Sequence, residues 1–85
     1  MSIEYYRKHL IDLRARLAKE QEAKKNDNAR YAELIRKSSS TSSKAAYRKS
    51  KIDRAASHDR TIESLKRQIE SDKNNLAKER ARGKK

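Results

Sequence analysis

The sequence contains no cysteine, proline, tryptophan, phenylalanine or valine, and its single glycine is Gly83. Without cysteine there is neither a disulfide framework nor a thiolate metal site. Without proline or glycine before residue 83, both strong breakers of regular structure are missing, and helix becomes the default reading. No glycine-rich loop exists to cradle a phosphate. No apolar run approaches the ~18 residues of a membrane-spanning helix. The opening MSIEYYRKHL has no apolar signal core. That points to the cytoplasm, provided the chain is not part of a longer protein.

Charge dominates what is present. Of the 85 residues, 42% are charged and 33% hydrophobic, and the net charge is +12. Six leucines and six isoleucines are the strong aliphatics. That is too few for a compact globular core in a chain of this length, but enough for a narrow seam between helices. Low hydrophobicity with high net charge favours disorder. A composition rich in Ala, Glu, Lys, Leu and Arg favours a long exposed helix if it is periodic.

Periodicity decides for helix. Ile3, Tyr6, Leu10, Leu13 and Leu17 alternate spacings of three and four, the a/d seam of a coiled coil. The frame runs on through polar Glu20, Lys24 and Asp27 and returns to Tyr31 and Leu34. Late in the chain Ile62, Leu65, Ile69, Asp72, Leu76 and Glu79 keep the same spacing. Ile52 and Ala55 extend this seam upstream at the cost of a phase break near Asp59, a skip that rewinds a supercoil locally. Glu4–Lys8, Asp12–Arg16, Glu20–Lys24, Glu33–Lys37 and Glu63–Arg67 add acid-to-base pairs four apart, each worth roughly 0.2–0.5 kcal/mol to a helix.

Residues 38–43 read SSSTSS. Serine and threonine compete for their own backbone and break helices. Arg36 and Lys37 before them suit a helix C-terminus, and Thr41, Ser42 or Ser43 can cap a second helix. A chain folded back at residue 41 sets Leu17 against Leu65, Leu13 against Ile69 and Tyr6 against Leu76. Tyr31 falls one position from Ile52, and Leu10 meets Asp72, a mismatch. The middle layers are polar: Glu20 with Ile62, Lys24 with His58, Asp27 with Ala55. The expectation is an all-α antiparallel two-helix hairpin that assembles into a dimer or larger bundle, with helices near 3–37 and 44–81, a turn at 38–43 and a basic tail at 82–85. The alternatives are one unbroken helix and a three-helix arrangement with a second break at Lys25–Asn28.

Chemistry-bearing residues are sparse. His9 and His58 are the only conventional bases near neutral pH. They stand far apart in the hairpin and read as surface or seam-edge residues. Asp59 and Glu63 share a helix face near His58, but the second-helix ligands of a di-metal bundle are absent. No catalytic, cofactor or metal site is assigned, and no small-molecule substrate. The serine tract suits a turn; phosphates there would meet Lys44 and Arg48.

The basic residues carry more. Arg36, Lys37, Lys44, Arg48, Lys49, Lys51, Arg54 and Arg60 stand against only Asp53 and Asp59. Lys78, Arg80, Arg82, Lys84 and Lys85 add five more, against Glu79. Such charge drives polyanion binding by counterion release. Stacking aromatics are missing apart from Tyr47, and no zipper succeeds the basic stretch as a basic-region dimer requires.

Tyr5-Tyr6-x-Lys8-x-Leu10-x-Asp12-Leu13-Arg14, with the Ser-rich middle and Lys44-Ala45-x-Tyr47, resembles the amino-terminal helical segments of bacterial defence or signalling proteins in which a basic coiled-coil hairpin precedes an effector domain such as a TIR-like domain. The resemblance spans most of the chain. It implies an oligomerising or targeting appendage and carries over no functional residue.

The favoured function is therefore a non-catalytic interaction module, homo-oligomeric or bound to another helical protein. Ile11, Ala15, Ala18, Ala32 and Ile35 lie off the main seam as its self-association surface. The competing class is a binder of nucleic acid or another polyanion through residues 36–60 and the tail.

Overall fold

The computed structural model describes residues 2–83. Two helices, α1 (Ile3–Lys37) and α2 (Thr41–Arg82), fold back on each other as an antiparallel hairpin, a rod of 69 × 14 × 13 Å. Lys84 and Lys85 lie outside the described residues.

Local signals set the helix ends. Ser2 caps α1, its Oγ accepting from the Tyr5 amide at 3.1 Å, and Glu4 sits in the first turn. Arg36 and Lys37 close the helix, where cations suit the exposed carbonyls. The Ser38 amide then donates to the Leu34 carbonyl at 3.1 Å. Only Ser38–Ser40 form the loop. Ser40 caps α2 by accepting from the Ser43 amide at 3.3 Å, so Thr41, Ser42 and Ser43 form the first turn instead of the break or the cap. Half of the SSSTSS tract thus belongs to the helix: once Ser40 supplies the capping oxygen, the residues after it lose nothing by becoming helical.

The α1 seam follows the heptads of the sequence. Leu10 and Leu13 are buried, and Ile3, Tyr6, Leu17, Tyr31 and Leu34 are half-buried. In α2, Leu65 and Leu76 are buried, and Ala55, Ile62 and Ile69 half-buried. Ile52 is not in the seam; it is 68% exposed. With Ile62 and Leu65 both facing α1, spacings of three and four carried backwards reach His58, Ala55 and then Lys51, all half-buried. Ile52 stands one residue, about 100°, round the helix from Lys51. The phase break near Asp59 disappears with it, since Ala55, His58, Ile62 and Leu65 keep regular spacing.

Candidate interaction surfaces

Two polar clusters cross the seam. Near the open end, His9 bonds through Nδ1 to the Asp72 carboxylate, and the Tyr5 ring stacks on the imidazole with centroids 5.6 Å apart. Asp72 is only 9% exposed. The layer read as a mismatch of Leu10 with Asp72 is therefore resolved by a neighbour, His9, which satisfies the carboxylate that Leu10 cannot.

Closer to the loop, His58 lies between two carboxylates of α1. Its Nδ1 meets Glu20 Oε1 at 2.5 Å and its Nε2 meets Asp27 Oδ2 at 2.6 Å. Both nitrogens donate at once only in the imidazolium form. The bond to Asp27, then that to Glu20, raises the His58 pKa above its ordinary 6.5, against an opposing desolvation effect. Asp27 is held below its ordinary 3.8, first by the His58 bond and further by the charges of Arg54 and Arg30. Lys24 reaches Asp59 at 2.5 Å, and Arg54 approaches Asp27 at 3.5 Å. The guanidiniums of Arg30 and Arg54 sit over the Tyr31 ring at 5.1 and 5.7 Å from its centre. The seam-edge histidines are thus both partnered across the hairpin. Lys24, read as an intrahelical partner of Glu20, pairs with the other helix instead, while Asp12–Arg16, Glu33–Lys37 and Glu63–Arg67 do form along their helices.

Among the described residues, no group of three or more His, Asp or Glu side chains is arranged to hold a metal ion, and no helix is long and apolar enough to cross a membrane. The two clusters link the helices; neither presents a nucleophile beside a base.

The outer surface is more distinctive. Two shallow grooves of similar size, about 480 and 400 Å³, run between the helices. At the open end, buried Leu10 and Leu76 form an apolar floor, and exposed Ile11 and Ala77 stand on its sides with Arg7, Arg14, Lys73 and Arg80. Near the loop, Ile35, Ile52 and Ala55 lie beside Asn28, Arg48 and Lys51. Residues 7, 14, 28 and 35 are spaced by multiples of seven, as are 52, 73 and 80, so both grooves open on the same flank of the coiled coil. Ile11 and Ile52, each 68% exposed, belong to it. Of the surface expected for self-association, Ile11, Ala18, Ala32 and Ile35 fall on this flank by heptad position; Ala15 falls on the outer back of α1. The sequence reading missed Ile52 as a member because it placed that side chain in the seam.

The basic stretch is partly neutralised. Arg36 and Lys37 both engage Glu33, whose pKa is lowered chiefly by the Arg36 bond, and Arg54 is drawn to Asp27. Lys44, Arg48, Lys49, Lys51 and Arg60 have no carboxylate partner among the described residues. In the carboxy-terminal part, Arg82 pairs with Glu79 at 2.9 Å, while Arg80 lines the open-end groove.

No known protein family, characterised protein or solved structure matches this chain.

Proposed function

We propose that the chain is a non-catalytic helical interaction module that packs further helices against one flank of its hairpin. The observation that carries this is the coincidence of both apolar grooves and both exposed isoleucines on that flank. Single exposed apolar side chains are ordinary on a protein surface; aligned ones over two grooves favour an interface. A two-helix rod also buries few of its side chains. Packing another helix on this flank adds the burial that a bundle relies on.

Self-association is best served by the loop-proximal groove. Ile35, Ile52 and Ala55 there share the wall with only two cations, Arg48 and Lys51. Overlap of two loop ends keeps the open-end grooves, each lined by four cations, apart. In sedimentation velocity, the wild-type mass should rise with concentration, and Ile52→Ser should stay at the mass of one chain. Equal association of both proteins would remove the flank from the interface.

The polyanion reading keeps the support of Lys44, Arg48, Lys49, Lys51 and Arg60, cations exposed or half-buried near the loop half of α2. It ranks second because Arg36, Lys37 and Arg54 are already engaged with carboxylates. Salt-dependent retention on an immobilised polynucleotide, undiminished in Ile52→Ser, would favour it.

A further inference from the structure

The open-end groove differs from the loop-proximal one in charge. Its eight lining side chains are four apolar and four cationic, with no carboxylate among them. Arg7, Arg14 and Arg80 have no acidic partner among the described residues, and Lys73 reaches only Glu70, at 3.7 Å. Three of the neighbouring acids are turned to other work: Asp12 bonds Arg16, Asp72 bonds His9 and Glu79 bonds Arg82. Arg7 and Arg14 on one wall, like Lys73 and Arg80 on the other, are two helical turns apart, roughly 10 Å at 1.5 Å per residue. Cations at that pitch line both sides of a floor of Leu10 and Leu76, with Ile11 exposed on the α1 side.

We infer that this groove receives an acidic amphipathic helix of a partner protein. The partner would set Leu or Ile at heptad seam positions on the floor and Asp or Glu at both flanking positions, opposite the four cations. An apolar stripe between two helices matches the helix-in-groove mode of recognition, and the walls select charge by complementarity. A second copy is a poor occupant: it would bring the same four cations onto a chain of net +12. A polynucleotide would satisfy the walls but leave Ile11 and Leu76 against sugar and phosphate. A flat anionic membrane would meet the cations and Ile11 but not the recessed Leu10 and Leu76.

This inference rests on the interaction-module reading. Its test uses the full chain and a labelled designed peptide of about three heptads, Leu at a and d and Glu at e and g. A second peptide carries Lys in place of Glu. Fluorescence anisotropy should show saturable binding of the Glu peptide, weakened by added salt, and none of the Lys peptide. Arg14→Glu and Ile11→Ser should each weaken binding at least about tenfold. Arg67→Glu, whose site is outside the groove, should not. Circular dichroism confirms that each variant stays helical; Ile11 is exposed, so its replacement leaves the seam intact. Absence of Glu-peptide binding, equal binding of the Lys peptide, or indifference to Arg14→Glu and Ile11→Ser overturns the inference. So does loss in Arg14→Glu of binding to phosphatidylglycerol vesicles or a single-stranded polynucleotide without any peptide binding. If the peptide fails while the wild type still associates through Ile52, the groove assignment falls alone. If Ile52→Ser also leaves association unchanged, the module reading falls with it.

Discussion

The two halves of the hairpin are joined by different chemistry. From the open end to Leu17 and Leu65, the seam is aliphatic, and Leu13 is fully buried. One polar pair, His9 with Asp72, interrupts it. From Glu20 to Tyr31, the seam is ionic and aromatic, with His58 between Glu20 and Asp27 and Arg54 beside Asp27 and Tyr31. Burial of aliphatic surface is non-directional and scales with area, so the open half supplies most of the stability. Hydrogen-bonded charges add little net stability but penalise wrong partners. The loop half therefore fixes the register. Shifting α2 by one heptad would move His58 away from one of its two carboxylates.

The largest effect should come from the aliphatic half. Leu13→Ala empties a site with no exposure and should cost about 2–5 kcal/mol, read from urea unfolding at low protein concentration. A loss under about 1 kcal/mol would place the stabilising core elsewhere. Next in size is the polar pair within that half. Asp72→Ala leaves His9 without its acceptor in a part-buried site and should cost about 1–3 kcal/mol. A neutral or stabilising result would show the pair to be dispensable to the aliphatic half.

The loop half should reveal itself through pH. His58 has a raised folded pKa, so its contribution is fully present below the unfolded value of 6.5 and is lost as pH rises through the higher folded value. Asp27 has a depressed folded pKa, so its contribution is present above 3.8 and is lost as pH falls through the lower folded value. The melting temperature should thus decline on the alkaline side of 6.5 and again in strong acid. His58→Gln should remove the alkaline decline and shrink the acid one, leaving only the part owed to the charges of Arg54 and Arg30. An unchanged alkaline limb in that variant would assign the titration to another group. The smallest effect is at Ile52. Its replacement by alanine at low concentration should shift stability by no more than about 0.5 kcal/mol, as at other exposed sites; a loss comparable with that of Leu13→Ala would return Ile52 to the seam.

The same contrast between the halves governs how legible each was in the sequence. The heptads of Ile3 to Leu34 are regular, and the pairing of Leu13 with Ile69 and Leu17 with Leu65 places the fold-back axis from apolar residues alone. The α2 seam was harder to read near the loop because residue type and position disagree there. An isoleucine at 52 faces solvent, while the lysine before it is half-buried, its alkyl stem able to lie along apolar surface with the charge in water. The histidine clusters left a usable signal: the axis that pairs the leucines also sets His9 beside Asp72, and sets His58 beside Lys24 between Glu20 and Asp27. Comparing the two histidines with each other, instead of each with the acids it faces, concealed it. The serine tract misled at its second half, because a turn-forming residue becomes an ordinary helix residue once the one before it supplies the cap.

Whether the isoleucine flank is an interface between helices is tested most directly by the wild-type melting temperature across a hundredfold range of protein concentration. Association through the folded state links stability to concentration by mass action, so the melting temperature should climb with concentration in the wild type and stay flat in Ile52→Ser. A well-folded wild type whose melting temperature does not move over that range would contradict the claim.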